Sequence, residues 1–478
     1  MTERKIFVAG QWRDTGDIHE VRSPTTGQVV ARAHRARPTD VEEAIAAAVA
    51  AFPATRAMPG WERAAILHKM SEQLEGRRDE LVRILALEAG KPVKAGRVEA
   101  DRAVFTVSVA AEEARRIGGE LLPMDWAPWG ADRGARRFGI VRRFPIGPIA
   151  AIVPFNFPLN LALHKIAPAI AAGCPVVVKP ATQTPSCTAI LAEMAQASGL
   201  PAGALSVLPA SVETAQPLVT DERFRLLSFT GSAAVGWDLK RLAGRKKVTL
   251  ELGGNAAAIV HHDADLTRAA ARITVGGYSY AGQSCISVQR VLVQRRVHDA
   301  FLETLAPMVK ALKVGDPLDE ATDVGPMITE ADAARVQAWV KEAEAGGARV
   351  LLGGAREGPL LWPMIVTDVR PDMKVSCQEV FGPVVAVTPY ETLDDAIAMV
   401  NDSVYGLQAG IFTRDAPSAW SAFERLEVGG VMVDDVPSFR IDHMPYGGVK
   451  QSGLGREGLK YAIEEMTEIK IMGWHVES

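Results

Sequence analysis

The chain has 478 residues, a length that predicts about three domains. Hydrophobic residues make up 48% and charged residues 23%, so large cores are possible and a disordered chain is excluded. A net charge of −4 gives no electrostatic reason to expect nucleic acid or an acidic membrane as partner.

The N-terminal run MTERKIFVAGQWRD is too short in its apolar part for a signal peptide. Thr39-Asp40-Val41-Glu42 reads as a capping box, with Val41, Ile45, Val49 and Phe52 following at helical spacing. Trp61–Leu87 and Val98–Ile117 read as further helices. The basic, turn-rich stretch from Asp125 to Arg143 is expected to form a β-hairpin that leaves the main body. The most apolar stretch, 146–178, is broken by Pro154, Asn156, Pro158, His164, Lys165, Pro168 and Pro175, which excludes a simple membrane span.

From there strands and helices alternate. Ile149–Val153, Val176–Val178, Leu205–Leu208, Leu226–Phe229 and Val248–Leu252 read as buried strands. Leu159–Ala172, ended by Gly173, and Pro185–Ser198 read as helices between them. After Leu266 the order repeats, with a helix to Tyr280, a strand at Arg290–Val293, a helix at Val297–Leu312 and another near Ala334–Ala345. Strands near Val384–Val387 and Gln408–Phe412 complete it. Such alternation predicts parallel sheets covered on both faces, in two α/β units that meet near Gly253–Gly254.

Several segments have residue types suited to chemistry. Ser228-Phe229-Thr230-Gly231-Ser232-Ala233-Ala234-Val235-Gly236 runs from a strand into a helix, where free backbone N–H groups can face a pyrophosphate. The same residues also suit an ordinary capped turn. Lys179 ends a buried strand, where open α/β sheets bind ligands, although single lysines are more often solvated. Pro154-Phe155-Asn156-Phe157-Pro158 holds one amide stiffly, either as a donor to a developing oxyanion or as a turn. Glu251 stands beside Gly253 and Gly254 as a candidate general base, or as a strand glutamate facing water.

The four cysteines, Cys174, Cys187, Cys285 and Cys377, contain no CxxC pair, which argues against disulfides and zinc and for a reducing, cytoplasmic setting. Cys174 and Cys187 fall in apolar helix contexts suited to inert thiols, whereas Cys285 follows a helix in a loop. Gln378-Glu379-Val380-Phe381-Gly382-Pro383 and the glycine-rich 445–457 are loops of open purpose.

The order of these segments decides more than any one of them. PFNFP, KPATQTP, FTGSAAVG, ELGGN, GQSC, EVFGPV and PYGGVKQSGLGRE resemble, in order, the motifs of the aldehyde dehydrogenase superfamily. The resemblance runs from Gly10-Gln11-Trp12 almost to the C-terminus. It implies an NAD(P)-dependent, non-acylating enzyme that oxidises an aldehyde to its acid through a cysteine hemithioacetal and thioester. It implies Cys285 as nucleophile, Glu251 as base, and Asn156 with the Cys285 N–H as oxyanion hole. Lys179 would meet the adenosine ribose, Ser232 with Gly231 and Gly236 the pyrophosphate turn, Glu379 the nicotinamide ribose, and Phe381 that ring.

The implied fold is α/β: a Rossmann-like cofactor domain (1–124 and 146–252), a catalytic α/β domain (253–445), and a small β oligomerisation arm with the C-terminal tail (125–145 and 446–478). A homodimer or homotetramer follows, with a small-molecule aldehyde as partner and no metal.

Departures from the family pattern refine this. Thr182 stands where many NAD-specific members have a glutamate, which predicts that NADP is accepted and even preferred. Asp435 replaces a common asparagine, and Tyr446 a common phenylalanine, a mild change. Arg440 is expected at the substrate mouth, either to receive an anionic group or to pair with Asp442 or another acid. The alternatives are a CoA-acylating dehydrogenase and a catalytically silent binding protein. The presence of Glu251 argues against the first, and the presence of Cys285, Glu251 and Asn156 together against the second.

Overall fold

The computed structural model describes residues 2–126, 129 and 136–476. The tip of the expected Asp125–Arg143 hairpin, at 127–128 and 130–135, lies outside the described residues.

An eight-stranded sheet is built around five parallel strands: Lys247–Glu251, Leu226–Thr230, Ile149–Ile152, Val176–Lys179 and Leu205–Val207, side by side in that order. Gly453–Leu454 and the N-terminal strands Ile6–Val8 and Gln11–Arg13 extend it with antiparallel pairings. The chain starts at Ile149–Ile152, winds one way through 176–179 and 205–207, then returns to 226–230 on the other side. The winding therefore reverses between Ile149–Ile152 and Leu226–Thr230. In open α/β sheets the crevice beyond the carboxyl ends of two such strands receives ligands. Here those ends lead into PFNFP and FTGS.

The seven-stranded second sheet runs Arg349–Leu352, Met364–Thr367, Val384–Tyr390, Arg290–Gln294, Ala257–Val260, Gln408–Phe412 and Gly430–Val433. All its pairings are parallel except that of Arg349–Leu352. A third sheet pairs Gly119–Pro123, Arg137–Pro145 and Thr467–His475 in antiparallel register, from Thr467 opposite Pro145 to His475 opposite Arg137. Ile469, Ile471 and Trp474 on it are exposed.

The helix Asn160–Ala172 is buried along its whole length, because sheet strands and neighbouring helices cover every side. It ends as expected at Gly173, whose φ of +86° suits glycine. Two readings are corrected. The first helix begins at Pro38, not after Thr39, because the Asp40 carboxylate accepts the Arg37 N–H at 2.9 Å and proline suits the first helical position. The Trp61–Leu87 helix is two helices, Gly60–Gly76 and Arg78–Ala89, joined at Arg77. No helix among the described residues is long and apolar enough to cross a membrane.

Candidate active site

A cleft of about 540 Å³ opens beyond the carboxyl ends of the first sheet, against the second. Cys285, Asn156, Glu251, Glu379, Phe381 and Arg440 all line it. Sequence positions almost 300 residues apart thus meet at one place.

Cys285 follows the helix Leu266–Tyr278 and a short turn, Ser279–Gly282. Tyr280 and Ala281 in that turn have φ of 51° and 53°, a strained conformation for residues with a Cβ. Several bonds hold the strain. The Tyr280 hydroxyl donates to the Ala89 carbonyl at 2.8 Å, and the Gln283 carboxamide accepts the Ile328 N–H at 2.8 Å. Burial pushes the Cys285 thiol up to about 11, opposed by the Tyr446 hydroxyl and the Arg440 charge. The Tyr446 hydroxyl lies 3.0 Å from Cys285 Sγ. The phenylalanine-to-tyrosine departure read from the sequence as mild thus adds a polar group at the thiol.

Asn156 sits in the loop after Ile149–Ile152. Its Nδ2 donates to the Gln283 carbonyl at 3.2 Å, which fixes the amide beside the cysteine loop. Its Oδ1 is buried without a hydrogen-bond partner among the described residues.

Glu251 ends its strand with the carboxylate buried and Oε2 unpartnered among the described residues. Burial pushes it well above the usual carboxylate range, and the Glu457 charge adds to the effect against Arg440, Lys165 and Arg456. Gly447 makes room for it, since a Cβ there would stand 2.9 Å from Glu251 Oε1. A carboxylate with a raised pKa in a cleft with a thiol and an amide is arranged for proton transfer.

On the cofactor side, Glu379 Oε1 accepts the Gly254 N–H at 3.1 Å, and burial pushes its carboxyl up to about 7. A Cβ on Gly253 would fall 2.2 Å from Glu379 Oε2, so the carboxylate depends on that glycine. Phe381, at φ +48°, meets Phe155 edge-on with centroids 6.1 Å apart. Gly231 and Ser232 also line the cleft, and Ser232 precedes the helix Ala233–Leu242 with no side-chain capping bond. Gly236 lies outside the lining, and a Cβ there would stand 2.4 Å from Leu252 Cδ2, so it serves close helix packing. Lys179 and Thr182 also lie outside it. The Lys179 amine donates to the Pro180 carbonyl at 3.4 Å and burial lowers its pKa, while Thr182 is exposed.

Arg440 is held from several sides. Its Nη2 donates to Glu457 Oε2 at 3.0 Å and lies 3.0 Å from His164 Nδ1, its Nε is 3.7 Å from Asp442 Oδ1, and its guanidinium stacks 3.5 Å over the Tyr446 ring. The acid pairing foreseen for this arginine therefore runs mainly through Glu457. Asp435 accepts from Arg272 Nε at 2.7 Å.

The sequence reading missed the buried charge cluster beneath the cleft. His164, Lys165, Asp442 and Glu457 are all buried, and Arg102 grips Asp442 with Nη2 at 2.7 Å and Nε at 3.1 Å. One available signal was the adjacent pair His164-Lys165 inside an otherwise apolar helix pattern, which requires acidic partners elsewhere.

The model of the aldehyde dehydrogenase family matches residues 12–472. The chain belongs to the aldehyde dehydrogenase family. The 3-sulfolactaldehyde dehydrogenase of Priestia aryabhattai is 46% identical over 468 residues, 98% of this chain and 97% of that protein. The crystal structure of aldehyde dehydrogenase 21 from Physcomitrella patens, in complex with the reaction product succinate, superposes with a TM-score of 0.97 at 45% identity, covering 99% of this chain and 98% of that one. Glyceraldehyde-3-phosphate dehydrogenase GapN from Methanocaldococcus jannaschii, complexed with NADP, has a TM-score of 0.92 at 38% identity, covering 97% and 100%.

As an aldehyde dehydrogenase the chain oxidises an aldehyde to the acid with NAD(P) as hydride acceptor. Its residues fit that cofactor. The buried Glu379 carboxylate keeps Oε2 beside the side-chain-free Gly253, and the helix at Ala233 presents uncapped N–H groups beside Gly231.

Proposed function

We propose that the chain oxidises a small anionic aldehyde, with Cys285 as nucleophile, Asn156 as oxyanion donor and Glu251 as the base that activates water. The observation that carries the substrate class is the pair of arginines, Arg102 and Arg272, in the cleft that holds Cys285. Arg102 meets Asp442 through Nε and Nη2, leaving Nη1, and Arg272 meets Asp435 through Nε alone, leaving both terminal nitrogens without an acid partner among the described residues. A sulfonate or carboxylate on the substrate suits such guanidinium edges. The 3-sulfolactaldehyde dehydrogenase and the succinate complex among the relatives agree with that chemistry.

In this reading the Cys285 thiolate adds to the carbonyl, and the alkoxide takes hydrogen bonds from Asn156 Nδ2 and the Cys285 N–H. By analogy with other oxyanion holes each such donor contributes about 3 kcal/mol. A nicotinamide held beside Glu379 and Phe381 would supply the hydride acceptor. Glu251 then removes a proton from water, which attacks the thioester and frees the acid. Glu379 and Phe381 would hold the nicotinamide end, Gly231 and Ser232 the pyrophosphate, and Lys179 the adenosine end. Thr182 leaves room there for the extra phosphate of NADP. We further propose a division into cofactor domain, catalytic domain and arm, with Gly119–Pro123 counted with the arm and Gly453–Leu454 with the cofactor sheet that it extends. Assembly through the exposed Thr467–His475 sheet, as a dimer or tetramer, and a cytoplasmic location complete the proposal.

The test is an aldehyde panel that pairs sulfonated and carboxylated aldehydes with neutral analogues of equal length. A kcat/KM advantage of at least about tenfold for the anionic members is expected. Equal values for the neutral analogues would remove the anionic class, and full activity in Cys285→Ser would remove the nucleophile.

A further inference from the structure

We infer that Tyr446 is a catalytic residue whose hydroxyl donates a hydrogen bond to Cys285 Sγ and stabilises the thiolate that attacks the aldehyde. The inference rests on the reading of Cys285 as nucleophile.

The geometry carries it. The two atoms are 3.0 Å apart, within hydrogen-bond range for sulfur. The Tyr446 side chain is buried and fixed at its backbone, since its N–H donates to the Glu457 carbonyl at 3.0 Å and its carbonyl accepts the Glu457 N–H at 2.6 Å. The Arg440 guanidinium lies 3.5 Å over its ring, and a cation on that face draws electron density from the phenol and makes its O–H a better donor. Arg440 is held in turn by Glu457 and His164, so the stack is positioned from below.

The other charged groups that act on the sulfur divide by sign. Glu251 and Glu379 oppose the thiolate, and Arg440 favours it. Burial opposes it most, so each donor to the sulfur bears on how far the thiol ionises. Tyr446 does not take the thiol proton. Burial pushes its phenol well above the ordinary range, so it keeps its own proton. The thiol proton leaves to water, the sulfur electron pair forms the C–S bond, and the carbonyl π pair moves to oxygen. The sulfur then bears no charge and accepts the phenol bond only weakly.

The test replaces Tyr446 with phenylalanine, which keeps the ring and the Arg440 stack. Iodoacetamide alkylation of Cys285 is followed against pH in wild type and Tyr446→Phe. The midpoint is expected to rise by about one pH unit, and the alkylation rate below it to fall about threefold, because a more basic thiolate is scarcer but more nucleophilic. NADP affinity and the thermal midpoint are expected to stay unchanged, which separates the hydroxyl from a packing role. An unmoved midpoint beside an inert Cys285→Ser overturns the role of Tyr446 alone. A Cys285→Ser variant that still oxidises aldehyde overturns the nucleophile reading and this inference with it.

Discussion

Glu457 acts on Glu251 as an anion locked in place by its own cations. Its Oε1 takes Lys165 Nζ at 3.3 Å and its Oε2 takes Arg440 Nη2 at 3.0 Å. Burial alone would raise the Glu457 carboxyl, but Lys165, His164 and Arg440 prevail and hold it far below the usual range. Its charge then adds to burial in raising Glu251.

Glu457→Gln removes that charge and frees Arg440 and Lys165 to favour an ionised Glu251. Both changes lower the Glu251 pKa. The acidic limb of thioester hydrolysis is expected to move down by about one pH unit, read in single-turnover deacylation across pH. An unmoved limb would detach Glu457 from the base.

Thr182→Glu places a carboxylate on the exposed turn after Val176–Lys179. A carboxylate there repels a 2′-phosphate and can bond a 2′-hydroxyl. The ratio of kcat/KM for NADP to that for NAD is expected to fall by at least about tenfold. A ratio unchanged by the substitution would take position 182 out of cofactor choice.

Asp442 is the acid of the cluster most enclosed by donors: Arg102 twice, His164 Nε2 at 2.9 Å and Asn160 Nδ2 at 3.3 Å. Burial would raise its carboxyl, yet the bonds and charges of His164 and Arg102 hold it far below the usual range. A carboxyl depressed in the folded state stabilises above its unfolded pKa and loses that contribution as pH falls through the folded one. Asp442→Asn is expected to cost about 3–5 kcal/mol at neutral pH, since it strands Arg102. The difference from wild type should shrink below about pH 4, measured by urea unfolding at both ends. A constant difference across that range would contradict the assignment.

Much of the strand–helix alternation was legible in the sequence because most strands of the parallel sheets are apolar runs, but Ala257–Val260 and Met364–Thr367 of the second sheet were not read, being only four residues each. Asn156, Glu251, Cys285 and Glu379 were picked out by the order of their motifs rather than by any one of them, and all four line one cleft. The partners of those residues were not legible. Asp442 and Glu457 reach His164 and Lys165 across almost 300 positions, and nothing local to either segment states that pairing. The Tyr446 contact was hidden for the same reason: a hydroxyl has a role only once the sulfur 161 positions away is known to lie beside it. The first helix was misplaced at its start because Asp40 caps backward to Arg37 while Thr39 offers the more familiar signal.

Glu99 holds two things at once. Its Oε1 accepts the N–H groups of Leu159 and Asn160 at 3.1 and 3.2 Å, and its other oxygen meets the buried ammonium of Lys91, which lies 3.6 Å over the Phe157 ring. One carboxylate therefore anchors the helix that follows PFNFP, while its lysine clamps an aromatic inside that motif. The loop bearing Asn156 is fastened on its downstream side before any aldehyde arrives. The ordering entropy of that amide is lost once, as the chain folds, and does not recur in each catalytic cycle.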